Sequence, residues 1–243
     1  MSEQAITIRL VCCVNTPQVF ANRLMASPCV AQGHVPLSAF FTCTDAAQGF
    51  NAAMATCNSE AWLVWVHQDV FLPEGWDTQF CAALAQAQQQ FPNLAIAGVY
   101  GLSGSGSAAR RAGHVLDRGQ LLHETATLPC LADSLDELLF AVRADSGLRM
   151  DAALGFDFYA TDLVLQAQAL GLPSAVVDAY CEHWSETPSR GPVAPAVSER
   201  IALSANVFEH KWAARLPITT PCFHIDKPGD VAAFLQTLER TAT

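Results

Sequence analysis

The chain has 243 residues, 51% of them apolar and only 15% charged, which suits one sizeable α/β core and excludes extensive disorder. Lys and Arg number 13 against 23 Asp and Glu, for a formal net charge of -10. That balance excludes a basic nucleic-acid-binding surface, and an anionic ligand would need local help from an arginine, a helix N-terminus or a metal.

The nine cysteines are scattered, apart from Cys12-Cys13, and show no CxxC spacing, which argues against a zinc–cysteine site. Met1-Ser2-Glu3-Gln4 lacks the basic start of a secretory signal, and no apolar run is long enough to cross a bilayer. The expectation is small buried thiols in a reducing cytoplasm.

In chain order, Ala5 to Val14 predicts a buried strand closed by the turn residues Asn15-Thr16-Pro17. Asn15 either contacts a nucleotide or caps the next helix. Gln18 to Ala26 predicts a short helix stopped by Ser27-Pro28. A second strand, Leu37 to Thr42, ends at Thr44-Asp45. Gln48 to Cys57 then carries Phe50, Ala53, Met54 and Cys57 on one helical face. Asp45 is either the N-cap of that helix or an acceptor for a base or ribose; Asn51 stands near its start.

The stretch Trp62-Leu63-Val64-Trp65-Val66-His67-Gln68-Asp69 organises the rest. An apolar run of this kind predicts a central strand buried on both faces. Its polar end would project into the crevice where open α/β sheets bind ligands. An imidazole, an amide and a carboxylate there can face a nucleotide diphosphate, with Asp69 on a divalent metal. Equally, His67 and Asp69 can simply satisfy one another. Trp76 to Gln90 predicts an amphipathic helix and Leu94 to Tyr100 a fourth strand. The loop Gly101 to Ser107 can cradle phosphate or act as a flexible connection, and Arg110-Arg111 follows it.

Residues 5–112 thus read as a nucleotide-binding half with parallel strands. Residues 113–184 read as an acceptor or catalytic half of short strands, and 185–243 as a helical extension, all within one domain. In the second half, Asp136-Glu137 precedes the strand-like Leu138 to Val142, two acids that either solvate an edge or serve as active-site carboxylates. Asp157 stands before a helix in which Ala160, Leu163, Val164, Ala167 and Leu170 recur at helical spacing, with Asp162 on an adjacent polar stripe. Asp157 suits an N-cap there. Gly171 and Pro173 stop this helix. After a strand over Ser174 to Tyr180 comes Cys181-Glu182-His183-Trp184-Ser185. Gly191 to Ala196 predicts a proline-rich loop, Ser198 to Trp212 a helix, and Asp230 to Arg240 a last helix.

In order and spacing, His67-Gln68-Asp69, Phe156-Asp157-Phe158-Tyr159-Ala160-Thr161-Asp162-Leu163, His183-Trp184-Ser185 and Lys211-Trp212 resemble family 2 glycosyltransferases. More narrowly they are similar to the StrF-like (streptomycin biosynthesis) branch, with its HxD variant of the DxD motif. The resemblance implies a GT-A fold, with a mostly parallel central sheet flanked by helices. It implies Mn²⁺ or Mg²⁺ on Asp69, with His183 completing the coordination and His67 and Gln68 facing the donor. The family's acidic pair before "DL" falls on Tyr159 and Ala160, so Asp157, Asp136 and Asp162 remain as candidates for the base. The implied activity is metal-dependent, inverting transfer from a nucleotide-diphospho-sugar to a sugar, polysaccharide, lipid-linked or small-molecule acceptor. Two alternatives remain: a decayed fold that only binds nucleotide sugars, and a nucleotidyltransferase. The second is disfavoured by the lack of an early glycine-rich, lysine-bearing loop.

Overall fold

The computed structural model describes residues 6–104, 108–185 and 193–240. Ser105 to Ser107 of the glycine–serine loop, and Gly191 and Pro192 of the proline-rich stretch, lie outside the described residues.

The chain begins with β1 (Ile8–Val14), α1 (Pro17–Asn22), a 3₁₀ turn over Leu24–Ala26, α2 (Pro28–Ala31), β2 (Leu37–Phe41), α3 (Ala46–Ala55), β3 (Trp62–Val66), β4 (Val70–Phe71) and α4 (Trp76–Gln90). Short strands follow: β5 (Ile96–Gly98), β6 (Tyr100–Ser103), β7 (Arg110–Asp117), β8 (Gln120–His123), β9 (Cys130–Leu131), β10 (Ser134–Leu135) and β11 (Leu139–Arg143). The chain closes with α5 (Tyr159–Ala169), β12 (Ser174–Val176), β13 (Cys181–His183), α6 (Pro195–Lys211), the hairpin β14 (Ile218–Thr219) and β15 (His224–Ile225), and α7 (Asp230–Arg240).

A seven-stranded sheet runs β2-β1-β3-β11-β5-β12-β9. All five residues of β3 are buried, as its unbroken apolar run requires. Alternate side chains serve opposite faces. Trp62, Val64 and Val66 pack with Trp76, Phe80 and Leu84 of α4. Leu63 and Trp65 pack with Phe50 and Met54 of α3 and with Tyr159 and Leu163 of α5.

The sheet is mixed, not mostly parallel. β1 pairs parallel with β2 and β3, and β5 with β12. β11, however, lies antiparallel between β3 and β5, and β9 is antiparallel to β12. β11 follows β10 of the second sheet after only Asp136 to Leu138 and enters from the end at which β3 leaves, so it runs against β3.

The expected fourth strand divides into β5 and β6, and β6 belongs to a second sheet, β10-β6-β7-β13-β4, with β8 on β7. The expected helix from Gln18 to Ala26 breaks at Arg23 (φ -120°, ψ -88°) into α1 and the 3₁₀ turn. The C-terminal elements form a separate apolar cluster, in which Leu154, Phe158 and Leu165 meet Phe208, Ile225 and Val231.

Candidate functional site

His67-Gln68-Asp69 leaves β3 at the sheet edge, and backbone bonds fix it there. His67 N–H donates to the Leu138 carbonyl (3.0 Å), Val70 N–H to that of His67 (3.2 Å) and Trp184 N–H to that of Asp69 (3.0 Å). β4 pairs with β13, which sets His183 opposite Val70, and β13 pairs with β7, which sets Asp117 beside His183. His67, Asp69 and His183 thereby each bring a potential ligand atom within 4.8 Å of the others. His183 Nε2 lies 3.5 Å from Asp69 Oδ1, and its Nδ1 lies 2.8 Å from Asp117 Oδ1. A carboxylate behind a histidine orients the ring toward a metal in this way. His67 Nε2 shares a 2.7 Å hydrogen bond with the Tyr159 hydroxyl, which also accepts from Trp65 Nε1 at 3.1 Å.

The charges suit a cation. Burial lowers the His67 pKa to about 4, so the ring is neutral and able to ligate near pH 7. Burial alone would raise Asp69, but the hydrogen bond from His183 and the charges of both imidazoles outweigh it and hold the carboxyl at about 2. Burial would lower His183, yet the Asp117 and Asp69 carboxylates prevail and raise it to about 9. At neutral pH His183 therefore carries a proton between two carboxylates, and a metal ion would have to displace that proton to use its nitrogen. Two imidazole nitrogens and one carboxylate oxygen fit Mn²⁺ and fit Mg²⁺ poorly, because Mg²⁺ prefers an all-oxygen shell.

A cleft of about 260 Å³ opens beside His67 and Asp69, lined by these two with Asn15, Gln68, Tyr159 and Arg200 among others; His183 stands behind them, outside the lining. Gln68 braces its rim: Oε1 accepts from the N–H groups of Asn15 (3.1 Å) and Thr16 (2.9 Å), and Nε2 donates to Asn15 Oδ1. Arg200 enters from α6 with 48% of its side chain exposed. Asp157 holds it in a fork, accepting from Nε at 3.1 Å and from Nη2 at 3.0 Å, while Ser204 Oγ donates to Oδ2 at 3.1 Å. A guanidinium so fixed can meet a diphosphate.

Asp157 is therefore not the helix cap its position suggests. The N-cap of α5 is Phe158, in the left-handed region at φ 65°. Asp45 does cap α3, accepting from Gln48 N–H at 2.9 Å. The Asn51 amide is spent on Met150, donating to its carbonyl (2.9 Å) and accepting from its N–H (3.1 Å). Asp136 Oδ1 accepts from Leu138 N–H at 3.0 Å. Asp162 is fully buried, under Lys211 and Trp212. Asp45, Asn51, Asp136, Asp157 and Asp162 are absent from the cleft lining.

Sequence reasoning did not single out Asp117, Arg200 or the Tyr159 hydroxyl as site groups. Asp117 carries no local signal, because its partner is 66 residues away. Arg200 and Ser204 do share a helix face by their spacing, which is a weak hint of a common acid.

No protein-family model matches the sequence. The ATP synthase subunits region ORF 6 protein of Fuscovulum blasticum is 28% identical over 127 residues, 51% of this chain and 51% of that protein. The chain thus aligns with about half the length of this curated relative. Among solved structures, GalNAc-T7 with UDP, GalNAc and Mn²⁺ aligns at a TM-score of 0.50 and 10% identity, over 99% of this chain and 55% of that one. A197 from STIV aligns at a TM-score of 0.44 and 8% identity, over 72% of this chain and 82% of that one. The likeness to GalNAc-T7 is one of fold, a mixed α/β architecture that the two proteins share.

Proposed function

We propose that the protein is a metal-dependent glycosyltransferase that takes a sugar from a nucleoside-diphospho-sugar and inverts the anomeric centre. The observation that carries this reading is the grouping of His67, Asp69 and His183, of which His67 and Asp69 line a cleft that Arg200 also lines. The solved neighbour that shares the fold holds UDP and Mn²⁺. Placement in the StrF-like branch rests on motif order alone.

His67, Asp69 and His183 would hold a divalent cation, preferably Mn²⁺. When bound, such a cation supplies Lewis-acid stabilisation of charge on a leaving diphosphate. Arg200, held by Asp157, adds a fixed positive charge on the same side. Asn15 and Gln68 form the rim against which a nucleoside packs. The acceptor must then approach the sugar from the face opposite the diphosphate, with a base to take its proton.

The test is a thermal-shift panel of UDP, GDP, dTDP, CDP and their sugars, each with and without Mn²⁺. A ligand that binds only the folded state raises the midpoint by mass action. One nucleotide should raise it, mainly with Mn²⁺ present, and Asp69→Asn should abolish the metal-dependent part. Absence of any shift across the panel at millimolar ligand would sink the reading. A second reading, nucleotide-sugar binding without turnover, is favoured by Tyr159 and Ala160 standing where the resembled family carries acids. Binding without release of nucleoside diphosphate would select it.

A further inference from the structure

Tyr159 stands where the resembled family carries the first acid of its pair, and the structure gives it a different role. It opens α5 and is only 2% exposed, yet it lines the cleft beside His67 and Asp69. Trp65 and His67 are two residues apart at the end of β3, so they project to one face of the sheet. Both reach the Tyr159 hydroxyl: Trp65 Nε1 lies 3.1 Å from it and His67 Nε2 2.7 Å. Packing holds the phenol in place. The Trp65 ring meets it edge-on with centroids 5.3 Å apart, and the Phe140 ring tilts against it at 6.1 Å.

The donors decide where the hydrogens go. An indole N–H only donates, so the hydroxyl oxygen accepts from Trp65. With Nε2 turned to the hydroxyl, Nδ1 is the His67 nitrogen left for an ion. A ligating nitrogen carries no proton. The ring hydrogen of a metal-bound, neutral His67 therefore stands on Nε2 and donates to Tyr159. The phenol oxygen then accepts twice, and its own hydrogen needs another acceptor. Among the described residues its hydrogen bonds are those to Trp65 and His67, and the space it borders is the cleft. Without an ion, the hydroxyl can donate to a bare Nε2, with the ring hydrogen on Nδ1.

We propose that Tyr159 positions His67, holding Nδ1 for the ion, and that in the metal-bound protein its hydroxyl donates to an oxygen of the nucleoside diphosphate. This rests on the glycosyltransferase reading above. At the two side chains no net proton is gained or lost. One hydrogen leaves Nδ1 for solvent while another arrives on Nε2, and the hydroxyl hydrogen turns about the phenol C–O bond. The residue that replaces an acid in the resembled family thereby couples the metal to the nucleotide. A hydroxyl with a purely structural role would make the same two bonds in the same sense with and without metal.

The test follows that difference. Imidazole ¹⁵N NMR near neutral pH reports which His67 nitrogen carries the hydrogen, with the signals assigned by their loss in His67→Gln. We expect Nδ1–H in the metal-free parent and Nε2–H with Zn²⁺, a diamagnetic stand-in for Mn²⁺. In parallel, Mn²⁺ binding by electron paramagnetic resonance and binding of UDP, GDP, dTDP and CDP are compared in the parent and in Tyr159→Phe, which keeps the ring. The variant should bind Mn²⁺ roughly 10- to 100-fold more weakly, the usual effect of losing an outer-shell partner. At saturating Mn²⁺ it should bind the parent's preferred nucleotide about tenfold more weakly, the size of one hydrogen bond to a charged group. Without metal the two proteins should bind that nucleotide equally. The same His67 tautomer with and without Zn²⁺ would overturn the proposal, a measurement on the parent that decides even if the variant does not fold. Equal Mn²⁺ affinity in parent and variant would also overturn it, and would leave the transferase reading standing. So would a nucleotide loss that is the same with and without metal. A parent that binds neither Mn²⁺ nor any nucleotide would overturn the reading, and the role of Tyr159 with it.

Discussion

Asp162 is fully buried and saturated: Lys211 Nζ lies 2.8 Å from Oδ1, Trp212 Nε1 donates to Oδ1 at 2.8 Å, and Gln166 Nε2 donates to Oδ2 at 2.6 Å. The spacing of α5 puts Asp162 on the same polar stripe as Gln166, so that contact was legible. The partners on α6, nearly fifty residues on, were not, because nothing local says which helix will pack there. The late Lys211-Trp212 pair thus has a structural role of its own. Removing the acid leaves Lys211 and the indole N–H without their acceptor. Asp162→Ala should therefore cost about 3 kcal/mol of unfolding free energy, the usual toll for breaking a buried pair, as read by urea denaturation. Glu137 gives a stability that depends on pH. Burial, with Asp157 and Asp136 adding to it, raises its pKa well above the ordinary 4.5. An acid raised in the folded state holds its proton more tightly there than in the unfolded chain. Its contribution is favourable at acid pH and is lost as pH rises from 4.5 through the raised value. Comparing urea midpoints at about pH 5 and about pH 8 should show a smaller loss of stability in Glu137→Gln than in the parent.

At the scale of elements, β3 was readable because an unbroken apolar run ending in polar residues has few places to go in an α/β fold. The last helix, α7, begins and ends as its sequence predicts. β11 was readable as a strand but not as the antiparallel neighbour of β3. Strand identity is local; strand order is set by which connections can close. The same inserted strand follows closely on β10. Its approach depends on β6 and β10 lying close, and Gly101 makes that possible: a Cβ there would stand 2.4 Å from the Ser134 carbonyl oxygen. Backbone cannot yield as a flexible side chain does. Gly101→Ala should destabilise by about 2 kcal/mol, in the range for overpacking a core, with a lower thermal midpoint as the readout.

For the molecule as a whole, the site gathers residues from distant segments. The turn between β3 and β4 supplies His67 and Asp69, β13 supplies His183, β7 supplies Asp117 and α6 supplies Arg200. The residue types of the metal group were visible in the sequence, as an imidazole and a carboxylate at a strand end, although the same pair could equally satisfy itself. Their supports were not, because Asp117 and Asp157 act only through groups that tertiary pairing brings to them. With a net charge of -10, the protein has little long-range attraction for a nucleotide diphosphate. Recognition must come from this local arrangement. No helix among the described residues is long and apolar enough to cross a membrane, so none of them anchors the site to a bilayer by spanning it.

The central claim is that His67, Asp69 and His183 hold a divalent cation that a nucleoside diphosphate then shares. Free Mn²⁺ measured by electron paramagnetic resonance, during titration of the parent and of Asp69→Asn with and without UDP or another nucleoside diphosphate, tests it most directly. The parent should bind one Mn²⁺ per chain, tightened by one nucleotide, and the variant should lose that site. Equal Mn²⁺ binding by the two proteins, or none by the parent with any nucleotide, would contradict it.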